Sequence, residues 1–114
     1  MNRILASLAE SRFLFAEGSR YQNQPVLLTE YGGIAFAKES ESGWGYYENV
    51  KDENDFFARL EPITTFLIKS RKFSGFCYTQ LTDVLQEVNG LLYEDRTPKV
   101  PISKLRDIFA QRMY

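Results

Sequence analysis

The chain has no histidine, a single cysteine, no internal repeat and no apolar run long enough to cross a bilayer. Each absence excludes something. Without histidine there is no Ser-His-Asp or Cys-His nucleophile pair, no His-based zinc site and no HExxH helix. With Cys77 alone, no intrachain disulfide or CxxC motif can form. Its apolar neighbours, Gly75-Phe76-Cys77-Tyr78, predict a buried, inert thiol. The 14 Lys and Arg nearly balance the 15 Asp and Glu, leaving no electrostatic footprint for nucleic acid or anionic lipid. The apolar stretch from Ile4 to Ala9 is too short for a secretory leader and ends at Glu10. With no export or membrane signal, a cytoplasmic location is expected. Carboxylate, hydroxyl, amide and ammonium chemistry remains, with no metal or cofactor expected.

What is present is a folding composition, 44% hydrophobic and 25% charged over 114 residues, which fits one domain spanning 1–114. Ile4, Leu8 and Phe15 recur at helical spacing and predict a first helix ending near Gly18. Val26-Leu27-Leu28-Thr29-Glu30-Tyr31, closed by Gly32-Gly33, reads as a strand apolar on both faces, the pattern of a parallel, helix-covered sheet. Alternation along it sets Glu30 on the side of Val26 and Leu28. From Tyr31 to Lys51 runs a long stretch of Gly, Ser, Glu and aromatics, a length that often carries function.

Asp52 is a candidate cap for the next helix, where Phe56, Leu60, Ile63 and Leu67 form an apolar stripe. Pro62 is expected to kink or divide that helix. Lys69, Arg71 and Lys72 suit its C-terminal end. A second strand is expected over 73–81. A loop through Asn89-Gly90 and Thr97-Pro98 then leads to a last helix with Ile102, Leu105, Phe109 and Met113 on one face. Phe56, Phe57, Phe66, Phe73 and Phe76 read as core. The order helix-strand-helix-strand-helix predicts an α/β fold with two parallel strands joined by right-handed crossovers. Two such strands leave hydrogen-bonding edges open, so more barrel or further copies of the chain are expected to cover them.

Two segments resemble the C-terminal part of the catalytic barrel of glycoside hydrolase family 2, the β-galactosidase and β-glucuronidase family. Pro25-Val26-Leu27-Leu28-Thr29-Glu30-Tyr31-Gly32-Gly33 is similar to the seventh barrel strand, which ends in the nucleophilic Glu followed by an aromatic residue and Gly. Gly75-Phe76-Cys77-Tyr78-Thr79-Gln80-Leu81-Thr82-Asp83-Val84, continuing through Gln86-Glu87-Val88-Asn89-Gly90-Leu91-Leu92 and Asp95-Arg96-Thr97-Pro98-Lys99, resembles the eighth strand and the loop after it. The resemblance implies a partial (β/α)8 barrel, with Glu30 as nucleophile of a retaining β-glycosidase acting on a carbohydrate. Candidate substrate contacts are Tyr31, Gln80 and Trp44, the last equally readable as loop packing. Tyr46 and Tyr47 read first as packing, and Glu39, Glu41 and Glu48 as solvated charge. Thr79 stands where relatives often carry a sugar-stacking Trp, and Asp83 is expected to orient its loop through backbone hydrogen bonds.

The family's proton donor follows Asn in an Asn-Glu pair, and this chain has no Asn-Glu dipeptide. Proton donation alone supplies about 10²- to 10⁴-fold in rate. The chain by itself is therefore expected to be inactive. Two rivals remain open, a carbohydrate-binding remnant using Trp44, Gln80 and Glu30, and a structural module that oligomerises through its strand edges.

Overall fold

The computed structural model describes residues 16–37, 43, 45 and 48–111. The expected first helix, with Ile4, Leu8 and Phe15, and Met113 lie outside these residues. Within them the order is β1 (Leu27–Gly32), α1 (Glu53–Lys69), β2 (Gly75–Thr79) and α2 (Ile102–Phe109). The two strands pair in parallel, with Leu27 opposite Gly75, Leu28 opposite Phe76, Tyr31 opposite Tyr78 and Gly32 opposite Thr79. The described residues form a small α/β arrangement of two helices and two parallel strands in one sheet.

Helix α1 starts where the sequence expects. The Asp52 side chain accepts the Asp55 amide at 2.8 Å, and Glu53 and Asp55 sit in the first turn, where the helix dipole favours acids. Arg59 pairs with Asp55 at 3.1 Å, one turn away. Pro62 does not divide the helix, which runs unbroken from residue 53 to 69. Ala58, whose carbonyl loses its usual donor to the proline, is exposed, so water can replace the missing bond. The apolar stripe is also displaced from its expected course. Phe56, Leu60, Thr64, Leu67 and Ile68 are buried, while Ile63 and Phe66 face outward.

The core forms where α1, α2 and the loops leaving the strands converge. Phe56 and Leu60 meet Leu105 and Ile108 of α2 together with Ile34, Val50 and Val100. Ile102, expected on the buried face of α2, is exposed, because Leu105 and Ile108 form its inward edge. The stretch after β1 is drawn into this core at its two ends. Ile34, Ala35 and Val50 are buried, and the Val50 amide donates to Ala35 O at 2.8 Å.

Side chains of paired residues in a parallel ladder share a face. Tyr31, Phe76 and Tyr78 stand together on the helix side. The Tyr31 ring meets Phe76 and Tyr78 edge-on at 5.6 and 5.5 Å, and Tyr78 meets Phe109 of α2 at 6.0 Å. The opposite face carries Leu27 and Cys77, both exposed. The expected burial of Cys77 is therefore corrected: its side chain alternates away from the two tyrosines that the helices cover.

Candidate functional site

Glu30 lies near the C-terminal end of β1, and the ends of both strands open into loops on that side. A register shift decides which way it turns. Between paired positions, β1 takes three steps from Leu28 to Tyr31 while β2 takes two, from Phe76 to Tyr78. The extra residue brings Leu28 and Tyr31 to the same, helix-covered face, which unbroken alternation forbids. Glu30, adjacent to Tyr31, is directed away from α1. The expectation that Glu30 shares a side with Leu28 is thus corrected by the bulge. Its carboxylate is exposed and makes no hydrogen bond or ion pair to a described residue.

Tyr31 turns the other way. It is buried, and its hydroxyl shares a 2.9 Å hydrogen bond with Thr64 Oγ1 of α1. A tyrosine held between sheet and helix is a packing element and does not share a surface with Glu30. Burial raises its phenol above the ordinary range, with the Thr64 bond opposing. Gly32 permits the turn that follows: its φ is +101°, and a Cβ there would strike the Tyr78 ring.

At the end of β2, Gln80 is fixed by a polar relay. Its Nε2 donates to Asn89 Oδ1 at 2.7 Å, and Asn89 Nδ2 donates to Glu87 Oε1 at 3.1 Å. The main chain of Gln80 is joined to the same segment, Gln80 N donating to Asn89 O and Leu91 N to Gln80 O. Asn89 is fully buried, so the relay is partly internal and holds Gln80 in one orientation. Trp44, Tyr46 and Tyr47 lie outside the described residues.

The loop after β2 is built around an internal ion pair that motif reading did not single out. Lys99 Nζ donates to Asp83 Oδ1 at 2.7 Å, to Phe36 O at 2.7 Å and to Val88 O at 2.8 Å, with its side chain 0% exposed. Asp83 Oδ1 also accepts the Gly90 amide at 2.8 Å, the backbone-orienting role expected of it. One ammonium thus ties the loop leaving β1 to the loop leaving β2. A Cβ on Gly90 would run into the backbone of Thr82, Asp83 and Leu92, so only glycine fits beneath this pair. Lys99 was legible only as a charge following Thr97-Pro98, since nothing in a sequence marks which lysine is internal.

No protein-family model matches the chain, and no curated protein matches it significantly. The chemistry of the site must be read from its own groups. Among the described residues no cluster of His, Cys, Asp or Glu has the arrangement of a metal site, and no helix is long and apolar enough to cross a membrane. At the C-terminal end of the sheet stand an exposed carboxylate, an oriented amide and a loop pinned by the Asp83–Lys99 pair.

Tyr78 provides a pH test of this packing. Its hydroxyl is buried near the Ile34 backbone, yet it makes no well-formed hydrogen bond to a described residue. Burial first, then the neighbouring Tyr31 and Asp83, push its phenol well above the ordinary value of 10.0. A phenol raised in the folded state contributes stability that is fully present below its unfolded pKa and is lost as pH rises through the folded value. Stability should therefore fall as pH climbs beyond about 10, with Tyr31 and Tyr78 both contributing. Tyr78→Phe should flatten that decline. At neutral pH it should be neutral or stabilising by up to about 1–2 kcal/mol, because it removes a buried hydroxyl that lacks a partner among the described residues. Urea unfolding of both proteins below and above pH 10 checks this; a clear loss at neutral pH would mean that the hydroxyl is bonded.

Proposed function

We propose that the chain is the C-terminal portion of a family 2 glycoside hydrolase barrel, supplying Glu30 as the nucleophile of a retaining β-glycosidase. The observation that carries the reading is the parallel pairing of β1 with β2 across α1, with Glu30 near the C-terminal end of β1 and directed away from the helix. In a (β/α)8 barrel the helices lie outside, the catalytic groups stand at the C-terminal ends of the strands, and the side away from the helices faces the axis. The resemblance of the two strand segments to the seventh and eighth strands of that family gives Glu30 its role.

In the complete enzyme, Glu30 attacks the anomeric carbon and forms a covalent glycosyl intermediate. A carboxylic acid about 5–5.5 Å away protonates the leaving oxygen and then activates the water that releases the sugar. That acid comes from a part of the barrel that this chain lacks, as do the strands covering the sheet's open edges. Gln80, held by Asn89 at the end of the neighbouring strand, is available to a sugar hydroxyl through its remaining amide proton and carbonyl. Tyr31 has no part in substrate contact in this reading, since its hydroxyl is bonded to Thr64.

Complementation is the test. A family 2 β-glycosidase truncated before its seventh strand is mixed with this chain, and hydrolysis of aryl β-glycosides is followed. The wild-type chain should restore turnover, and E30Q should lower it by several orders of magnitude, as loss of a covalent nucleophile does. Turnover equal in wild type and E30Q would remove Glu30 from the mechanism. No restoration, where the truncated enzyme's own C-terminal piece succeeds, would remove the family.

A further inference from the structure

At the opposite end of the sheet from Glu30 a cleft opens, of about 320 Å³. One wall carries Tyr21, Asn23 and Gln24, and the other Arg71, Lys72 and Ser74. We propose that this cleft binds a small ligand through a phosphoryl group carried on a hydrogen-bonding body. The proposal is independent of the catalytic reading above.

Charge is the first argument. Among the described residues two cations line the cleft and no carboxylate does, and neither Arg71 nor Lys72 forms an ion pair. Lys69, in the last turn of α1, already meets the negative end of that helix. Arg71 and Lys72 stand beyond the helix and along the cleft.

The donor set fits an oxyanion with several oxygens. A guanidinium offers a planar fork for two of them, an ammonium a point charge, and the hydroxyls of Tyr21 and Ser74 and the amide of Asn23 further donors. The volume lies at the small end of the roughly 300–1,000 Å³ typical of ligand sites, so a phosphoryl group leaves room for a compact polar body.

The walls are tied together. Ser74 N donates to Val26 O at 2.8 Å, immediately before the first strand pair, Leu27 with Gly75. Gln24 Oε1 accepts the Gln22 amide at 2.6 Å. Asn23 at φ +62° and Arg71 at φ +54° both line the cleft in left-handed conformations, two of the four such non-glycine residues described. Asparagine adopts this conformation readily and arginine does not, so the fold holds Arg71 at some conformational cost.

The test titrates the whole chain at low salt with three probes: a hexose 6-phosphate, inorganic phosphate and the unphosphorylated hexose. Saturable binding of the hexose phosphate is expected, with amide shifts at Asn23 and Ser74 and no saturation by the neutral hexose. Inorganic phosphate matching the hexose phosphate would make free phosphate the ligand and leave the oxyanion site standing. The R71Q/K72Q variant should bind roughly tenfold more weakly, whereas Lys104→Gln, on α2, should bind as wild type. Circular dichroism and urea midpoints verify that the variants fold, and K72Q alone provides a milder second variant. Absence of saturation by either phosphate up to about 10 mM, unchanged affinity in folded R71Q/K72Q, or equal binding of the neutral hexose would overturn the assignment.

Discussion

Asp83→Ala should destabilise the protein by about 3–5 kcal/mol, the usual result of stranding one partner of an internal ion pair. Lys99 donates to Asp83 Oδ1, Phe36 O and Val88 O, and of these three acceptors the Asp83 carboxylate is the one that carries a compensating charge. Removal leaves a positive charge in a side chain that is 0% exposed, and the Gly90 amide loses its acceptor as well. Asp83→Asn should be milder, because it keeps an oxygen for Gly90 while leaving the charge unmatched. The double variant D83L/K99M should recover much of the loss, since replacing both charges by apolar groups removes the stranded ion. Recovery should be partial, because Phe36 O loses its donor whereas Val88 O still accepts the Phe36 amide. Urea midpoints for the four proteins decide the matter. A shift below about 1 kcal/mol for Asp83→Ala would mean that Lys99 reaches water, and a double variant no better than the single would mean that the charge is not the cause.

Phe56→Ala should be equally severe, again about 3–5 kcal/mol. The ring is 0% exposed, stacks on Phe36 at 5.9 Å and meets Phe57 edge-on at 5.6 Å. It also joins α1 to the α2 residues Leu105 and Ile108. Truncation forfeits the transfer of a large apolar surface from water and leaves a void that the surrounding helices can only partly close. Phe56→Leu should lose distinctly less by filling most of that space. A domain of this size has about 5–15 kcal/mol in hand, so Phe56→Ala should lower the thermal midpoint sharply. Equal midpoints for the alanine and leucine variants would indicate that the ring is not at the centre of the packing.

Local chemistry made much of the architecture legible. Asp52 announces a helix because a carboxylate before an apolar stripe caps free amides, and that cap depends on three residues of chain. Two short β-prone runs separated by a long helix read as parallel strands, since antiparallel neighbours need no such crossover. The expected loop at Asn89-Gly90 is present, and Asp83 orients it as its position in the sequence suggested.

The candidate site was less legible, for physical reasons attached to particular residues. One inserted residue between Leu28 and Tyr31 sets both on one face, and no periodicity reports a bulge. Pro62 leaves α1 unbroken because the affected carbonyl can meet water, a fact of exposure and not of composition. Cys77 is exposed although its neighbours are aromatic, because the two described helices cover the side of the sheet carrying Phe76 and Tyr78.

By itself, then, the sequence determined α1, α2 and the two strands, the order of these four, the capping of α1 and the parallel character of the sheet, all of which rest on interactions between residues a few positions apart or on the length of a connection. Tertiary structure alone decided which face Glu30 and Tyr31 adopt, that Lys99 is internal, and that Arg71 and Lys72 stand across a cleft from Tyr21 and Asn23. Those outcomes join residues separated by tens of positions, and their energies come from burial and charge pairing that exist only once the chain has closed on itself.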